Sequence, residues 1–285
     1  MSTQSSPKTW FITGASRGLG LATAQAALAA GDRVVATARD PDVLAKSLGQ
    51  NARDLLCLRL DVTDQKSAAR TVEAAVGRFG RIDVLVNNAG YGQLGAFEET
   101  SPEAVARQFE TNVFGVFNVT RAALPVLRRQ RAGHVINISS MVGLVGVDGG
   151  AVYCASKFAI TGWSEALAQE LKRFGISVTA VHPGYFRTDF LDGSSMKLAD
   201  LSIDDYRPST ARSTERRASV NHRQAGDPGA FGRAMIEHAN AKEPPVMFAA
   251  DSDAVKVMAE KGAALQAAAD ALRNLSMSTD FPAGG

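Results

Sequence analysis

The chain has 285 residues, enough for one large domain with a well-filled core. Hydrophobic residues make up 45% of it, and 31 basic side chains against 29 acidic ones leave a net charge of +2. That near-balance gives no electrostatic basis for binding nucleic acid or an anionic membrane, and no apolar run is long enough to span a bilayer. In chain order, "TWFIT" reads as a short apolar strand, and "LGLATAQAALAAG" follows the glycines as a helix stopped by Gly31. "RVVATA" and "DLLCLRL" read as buried strands with a short helical piece between them. "DQKSAARTVEAAVGRFG" carries apolar residues at helical spacing, with Thr63 or Asp64 as its cap. "IDVLVNNAG" is the next strand, ending in a turn. A long helix is predicted from Pro102 to about Arg129, then strand "HVINIS", a second long helix from Tyr153 to Arg173, and strand "ISVTAVHP".

Near-continuous Val/Ile/Leu strands separated by helices predict an α/β fold: a doubly wound parallel sheet covered on both faces. The pattern breaks after Pro183. Residues 190–227 are polar and irregular, and are expected to be a mobile substrate lid inserted in a single domain spanning 1–285. The helix "PGAFGRAMIEHANAK", the strand "PVMFAA" and a helical tail then complete the chain. Cys57 and Cys154 lie far apart without a histidine cluster, so reduced thiols and no metal site are expected. With the polar start "MSTQSSPK", which lacks the apolar core of a secretory signal, this predicts a cytoplasmic protein.

"TGASRGLG" at residues 13–20 admits two readings. Gly14, Gly18 and Gly20 suit a loop that lets a dinucleotide phosphate approach the backbone at a helix N-terminus. The same letters, Gly14-Ala15-Ser16-Arg17-Gly18, match the elbow that presents a nucleophilic serine. Position disfavours the elbow: Ser16 has only one strand before it, and nothing selects a partner such as Asp83 or Asp148 with His182.

Thr13-Gly-x3-Gly-x-Gly20, Asn87-Asn-Ala-Gly90, Asn112, Ser140, Tyr153-x3-Lys157 and Pro183-Gly184 occur in this order. Their spacing over residues 8–190 resembles the short-chain dehydrogenase/reductase family, and later segments resemble its hydroxysteroid-dehydrogenase-like branch. The resemblance implies a Rossmann-type NADP(H)- or NAD(H)-dependent enzyme acting on a small carbonyl or alcohol. It assigns proton transfer to Tyr153, the substrate oxygen to Ser140, a ribose contact to Lys157 and a relay water to Asn112. It places Gly14, Ser16, Arg17, Gly18, Leu19 and Gly20 around the phosphates. Asp61 and Val62 fall at the adenine, Asn88, Ala89 and Gly90 along the cleft, and Pro183, Gly184 and Thr188 over the nicotinamide. The residues carry their own argument too. Tyr153 and Lys157 stand four apart on one helix face, and an ammonium beside a phenol pulls the phenol below its ordinary value of about 10.

After the second strand, Ala38 stands where an acid would receive the ribose of NAD, and Arg39 follows it. Arg39 and Arg17 can both meet a 2′-phosphate, so NADP(H) is favoured over NAD. Met141, Val142, Leu144, Val147, Tyr185, Phe186, Phe190 and Leu191 are expected to border an apolar pocket. The arginines of "RPSTARSTERRASVNHR" fit either a solvated loop or an attraction for acidic substrates. A sensor that only binds NADPH is the non-enzymatic alternative. The apolar and small residues of the two long helices, with the resemblance, predict a homodimer or homotetramer.

Overall fold

The computed structural model describes residues 6–50, 52–193 and 195–281. The start of the polar stretch read above (residues 1–5), Asn51, Ser194 of the expected lid and residues 282–285 lie outside the described residues. The first half runs β1 (Thr9–Thr13), α1 (Gly18–Ala29), β2 (Arg33–Ala38), α2 (Pro41–Leu48), β3 (Leu55–Arg59), α3 (Gln65–Phe79), β4 (Val84–Asn87) and β5 (Gly92–Leu94). It continues through α4 (Pro102–Phe109), a π-helical turn (Glu110–Phe114), α5 (Gly115–Gln130), β6 (Gly133–Ile138), α6 (Ala151–Leu171) and β7 (Ile176–His182). The remainder is β8 (Met196–Leu198), α7 (Arg207–Val220), α8 (Pro228–Asn240), β9 (Met247–Ala249), α9 (Ser252–Ala271) and α10 (Arg273–Met277).

Seven of the strands form one parallel sheet in the order β3-β2-β1-β4-β6-β7-β9. Alternation along β1 explains its two covered faces. Phe11 joins Val35, Leu85, Val135 and Val178 beneath α3, α5 and α6, while Trp10 and Ile12 join Val34, Val86 and Ile136 beneath α1 and α8. The chain leaves β1 toward β2 and β3, then returns to β4 on the other side of β1. The order therefore reverses between β1 and β4, and a cleft opens beyond their carboxyl ends.

Two expectations need correction. The stretch 190–227 is not irregular throughout: it holds the helix α7, and β8 pairs in parallel with β5. Its fastenings are specific. Buried Glu99 accepts from Ile203 N at 2.9 Å and from Thr210 Oγ1 at 3.3 Å, and Phe186 bridges to Gly226. Phe186 itself does not border a pocket. It packs edge-on against Phe231, centroids 5.2 Å apart, in the core under α8.

A polar knot ties β6 and β7 to α8. Thr179 Oγ1 donates to Pro245 O at 2.8 Å, so its single proton is committed. His134 Nε2 and His238 Nε2, at 2.9 and 3.0 Å from the same oxygen, must then both donate to it. Burial and the neighbouring His238 hold His134 down at about 3. Its folded value lies below the ordinary 6.5, so the unfolded chain binds more protons between about 6.5 and 3. Stability is therefore full above pH 6.5 and falls as the pH drops through that window. Melting curves by differential scanning fluorimetry should decline from pH 6.5 toward 4, and less steeply in His134→Gln. Equal slopes in the two proteins would show that the acid loss arises elsewhere.

Candidate active site

The glycine loop joins β1 to α1 and is shaped by backbone demands. Gly14 and Gly18 have φ of +64° and +57°, the left-handed region that L side chains avoid. A Cβ at Gly14 would lie 2.9 Å from Ala89 Cα, and one at Gly20 would run into the Asn88 amide and the Gly14 carbonyl. The β1 and β4 ends are also stitched together. Thr13 Oγ1 accepts from Asn88 N and Ala89 N at 2.9 and 3.0 Å, and Asn88 Nδ2 donates to the Thr13 and Gly14 carbonyls at 3.0 Å each. Gly18 stays open: a methyl there would reach only Thr188 Cβ at 3.7 Å. A bare backbone loop at a helix N-terminus, faced by Thr188 across the cleft, fits a pyrophosphate. Ser16 and Leu19 are half-buried in this loop, and Arg17 is exposed.

At the far edge of the loop, Ala38 is half-buried and Arg39 exposed. Asp40, the next acid in the chain, accepts from Asp42 N at 3.0 Å through Oδ1 as the cap of α2. Asp61 is exposed with its Oδ1 held by Thr63 N and Oγ1, whereas Val62 beside it is buried. Of the two caps expected for α3, Asp64 takes the role, accepting from Lys66 N at 2.8 Å.

Tyr153 and Lys157 enter from the first turns of α6, and Ser140 from the end of β6. Lys157 Nζ donates to Ile138 O at 2.8 Å and lies 5.8 Å from the centre of the Tyr153 ring. Ser140 shares a side-chain hydrogen bond with Tyr153, and its Oγ accepts from Val142 N at 3.3 Å. The neighbouring Ser139 is buried instead against Lys157 O and Thr161 Oγ1. Asn112 sits in the π-helical turn, a local widening of the helix that places a side chain off the regular spiral. Its Nδ2 donates to Tyr91 O at 2.9 Å and Ser156 Oγ at 3.2 Å, and its Oδ1 accepts from Tyr91 N. A Cβ at Gly90 would fall 3.1 Å from Asn112 Oδ1 and 3.8 Å from Lys157 Nζ, so the β4 turn runs between them.

The electrostatics reverse one expectation. Burial pushes the Tyr153 phenol well above its ordinary range, opposed by the hydrogen bond from Ser140. Burial also holds Lys157 down at about 8. The expected downward pull of the ammonium on the phenol is not seen: burial dominates both groups, and the downward influence on the phenol comes from Ser140.

Sequence reading missed several supports. Ser156 donates to Tyr153 O at 2.7 Å while accepting from Asn112, and its position inside the Tyr-x3-Lys helical face was the available signal. His182, fully buried, bonds Ser140 O at 2.9 Å through Nδ1 and so steadies the serine rather than partnering Ser16. Asp251 caps α9 and accepts from Gly184 N, where any Cβ would strike the carboxylate. Tyr153, Val142 and Cys154 form a small buried cluster with Met141 and Phe190 against it. Val147 is 45% exposed, and Cys57 is half-buried.

A doubly wound sheet with a glycine cradle at its reversal point defines a Rossmann-type nucleotide-binding protein. The short-chain dehydrogenase family model matches residues 8–198, and the chain belongs to the short-chain dehydrogenase/reductase family of oxidoreductases. It is 37% identical over 273 residues to oxidoreductase BOA17 of Botryotinia fuckeliana, covering 95% of this chain and 99% of that one. A short-chain dehydrogenase from Streptomyces avermitilis superimposes with a TM-score of 0.87 at 36% identity, covering 97% of this chain and all of the other. Two more distant structures, each 25% identical, hold nucleotides. A Burkholderia phymatum enzyme is complexed with NAD (TM-score 0.74, 85% of this chain and 88% of that one), and ElxO with NADP (0.72, 88% and 100%).

Proposed function

We propose that this chain interconverts a ketone or aldehyde and its alcohol with NADP(H), using Tyr153 as general acid and base. The convergence of Ser140, Tyr153 and Lys157 beside the glycine cradle carries this reading. A bound nicotinamide supplies hydride to the carbonyl carbon, or takes it back in oxidation. The Ser140 and Tyr153 hydroxyls hold the substrate oxygen, and Tyr153 gives it a proton as the carbon becomes tetrahedral. Lys157 stabilises the phenolate left behind and reaches the ribose. Asn112, through Tyr91 and Ser156, fixes the floor beneath both and anchors the relay water. Gly14, Ser16, Arg17, Gly18, Leu19 and Gly20 hold the phosphates, Asp61 and Val62 the adenine, and Asn88, Ala89 and Gly90 the middle of the cleft. Pro183, Gly184 and Thr188 close over the nicotinamide. Met141, Val142, Cys154 and Phe190 around Tyr153 favour an apolar or ring-bearing substrate. The half-exposed Phe114 and Phe158 on the long helical faces support a homodimer or homotetramer.

The preference for NADP(H) rests on Arg39 and Arg17 and on Ala38 standing where an acid would receive the ribose of NAD. A charge-assisted hydrogen bond to the 2′-phosphate is worth about 1.5–3 kcal/mol, and about 1.4 kcal/mol is tenfold. NADPH is expected to bind about 10- to 100-fold more tightly than NADH, toward the low end because both arginines are exposed. Arg39→Asp should reverse the order. Fluorescence titration of both nucleotides measures this, and equal affinities in the wild type would remove the assignment. A panel of ketones and aldehydes, read by consumption of each nucleotide, tests the activity.

A further inference from the structure

We infer that Arg217 reads an anionic group on the substrate, so that the preferred substrates are ketones bearing a carboxylate or phosphate away from the carbonyl. The inference rests on the carbonyl-reductase reading and names its substrate class. It comes from where α7 lies. Residues Ser209, Ser213, Arg217 and Val220 are its partly buried positions, at helical spacing, while Arg212, Glu215 and Arg216 are exposed. At one contact, Ser213 Oγ lies 3.9 Å from where a Cβ of Gly149 would stand, just before α6 begins. At the other, Asn221 Nδ2 donates to Asp192 Oδ1 at 2.7 Å, two residues beyond Phe190. Those two places bracket the reactive tyrosine, because Tyr153 is in the first turn of α6 and its ring centre is 6.0 Å from that of Phe190. Arg217, four residues from Ser213 and four from Asn221, therefore stands between the two contacts on the partly buried face of α7.

Its charge is not answered by any described residue. Arg207 pairs with Asp204, and Asp192 is engaged by Asn221 and by His222 at 3.4 Å. Arg217 makes no side-chain hydrogen bond or ion pair among the described residues, although it is partly buried. A half-desolvated guanidinium gains from a carboxylate or phosphate that satisfies its fork of donors. The other face of α7 explains its remaining arginines as solvated surface, so the composition of the helix needs no second site.

The test uses 4-oxo-4-phenylbutanoate and its methyl ester, matched in ring and chain, with NADPH and NADH. The wild type should prefer the acid by about tenfold in kcat/KM, the effect of one partly solvated charge-assisted contact. Arg217→Met should bring that ratio to about one, chiefly by raising KM for the acid, while Arg217→Lys keeps part of it. Arg216→Met, on the exposed face, should leave the ratio as it is. Calorimetric titration of the acid into the NADPH-loaded protein should show the same loss in Arg217→Met without turnover. If the wild type reduces both compounds equally, or Arg217→Met keeps the preference, the inference is overturned. If the wild type reduces no ketone or aldehyde of the panel with either nucleotide, the carbonyl-reductase reading itself fails, and this inference with it.

Discussion

Tyr153→Phe is expected to lower carbonyl reduction by about 10²- to 10⁴-fold, the contribution of a positioned general acid, while nucleotide binding is unchanged. The ring keeps its packing against Val142, Cys154 and Phe190, and only the hydroxyl shared with Ser140 is lost. The pH dependence is set by burial. With the phenol held above its ordinary value, Tyr153 stays protonated across the neutral range, and reduction has its acid in place there. Oxidation needs the phenolate, so its kcat/KM should climb with pH from the neutral range and flatten above about 8, where Lys157 gives up the charge that favours the phenolate. Steady-state rates in both directions, with fluorescence titration of NADPH, check this. Near wild-type turnover in Tyr153→Phe, with nucleotide still bound, would remove Tyr153 from the mechanism.

Lys157→Met should abolish activity at least as thoroughly and yet stabilise the protein. Lys157 is 7% exposed and donates to a single backbone carbonyl, Ile138 O, so its charge is held at a desolvation cost that Met does not carry. Its folded value of about 8 lies below the ordinary 10.5. Between these the unfolded chain binds more protons, so wild-type stability should rise as the pH goes from 8 to 10.5, and the variant should lack that rise. The catalytic losses of Lys157→Met and Tyr153→Phe should not add, because the residues act as one unit. Urea melts of the nucleotide-free protein at pH 7 and 9.5, paired with rates, decide it. A variant that is less stable at both values would show that Lys157 holds the fold together rather than straining it.

The order of strands and helices was legible because buried parallel strands write unbroken runs of Val, Ile and Leu, and the helices between them carry apolar residues at their own period. The glycine loop was legible because Gly14 and Gly20 have no room for a side chain. Ser140, Tyr153 and Lys157 were legible by spacing, and the structure brings them together. Helix α7 was not, since it buries no residue and therefore writes no apolar period. Phe186 was placed at the pocket because its neighbours in sequence lead there, but the Gly226 bridge turns it into the core. The upward push on Tyr153 was hidden for a related reason. Spacing shows that an ammonium is near a phenol, but not how much water has been taken from both.

Helix α7 is held at its rim by Glu99 and Asp192 and contributes nothing to either face of the sheet. The residues of α7 are thereby separate from those that hold the sheet together. A substitution along its partly buried face should therefore leave the packing that keeps the sheet folded as it is. If α7 reads the substrate as proposed above, selection has a helix it can vary one residue at a time at no expense to the sheet.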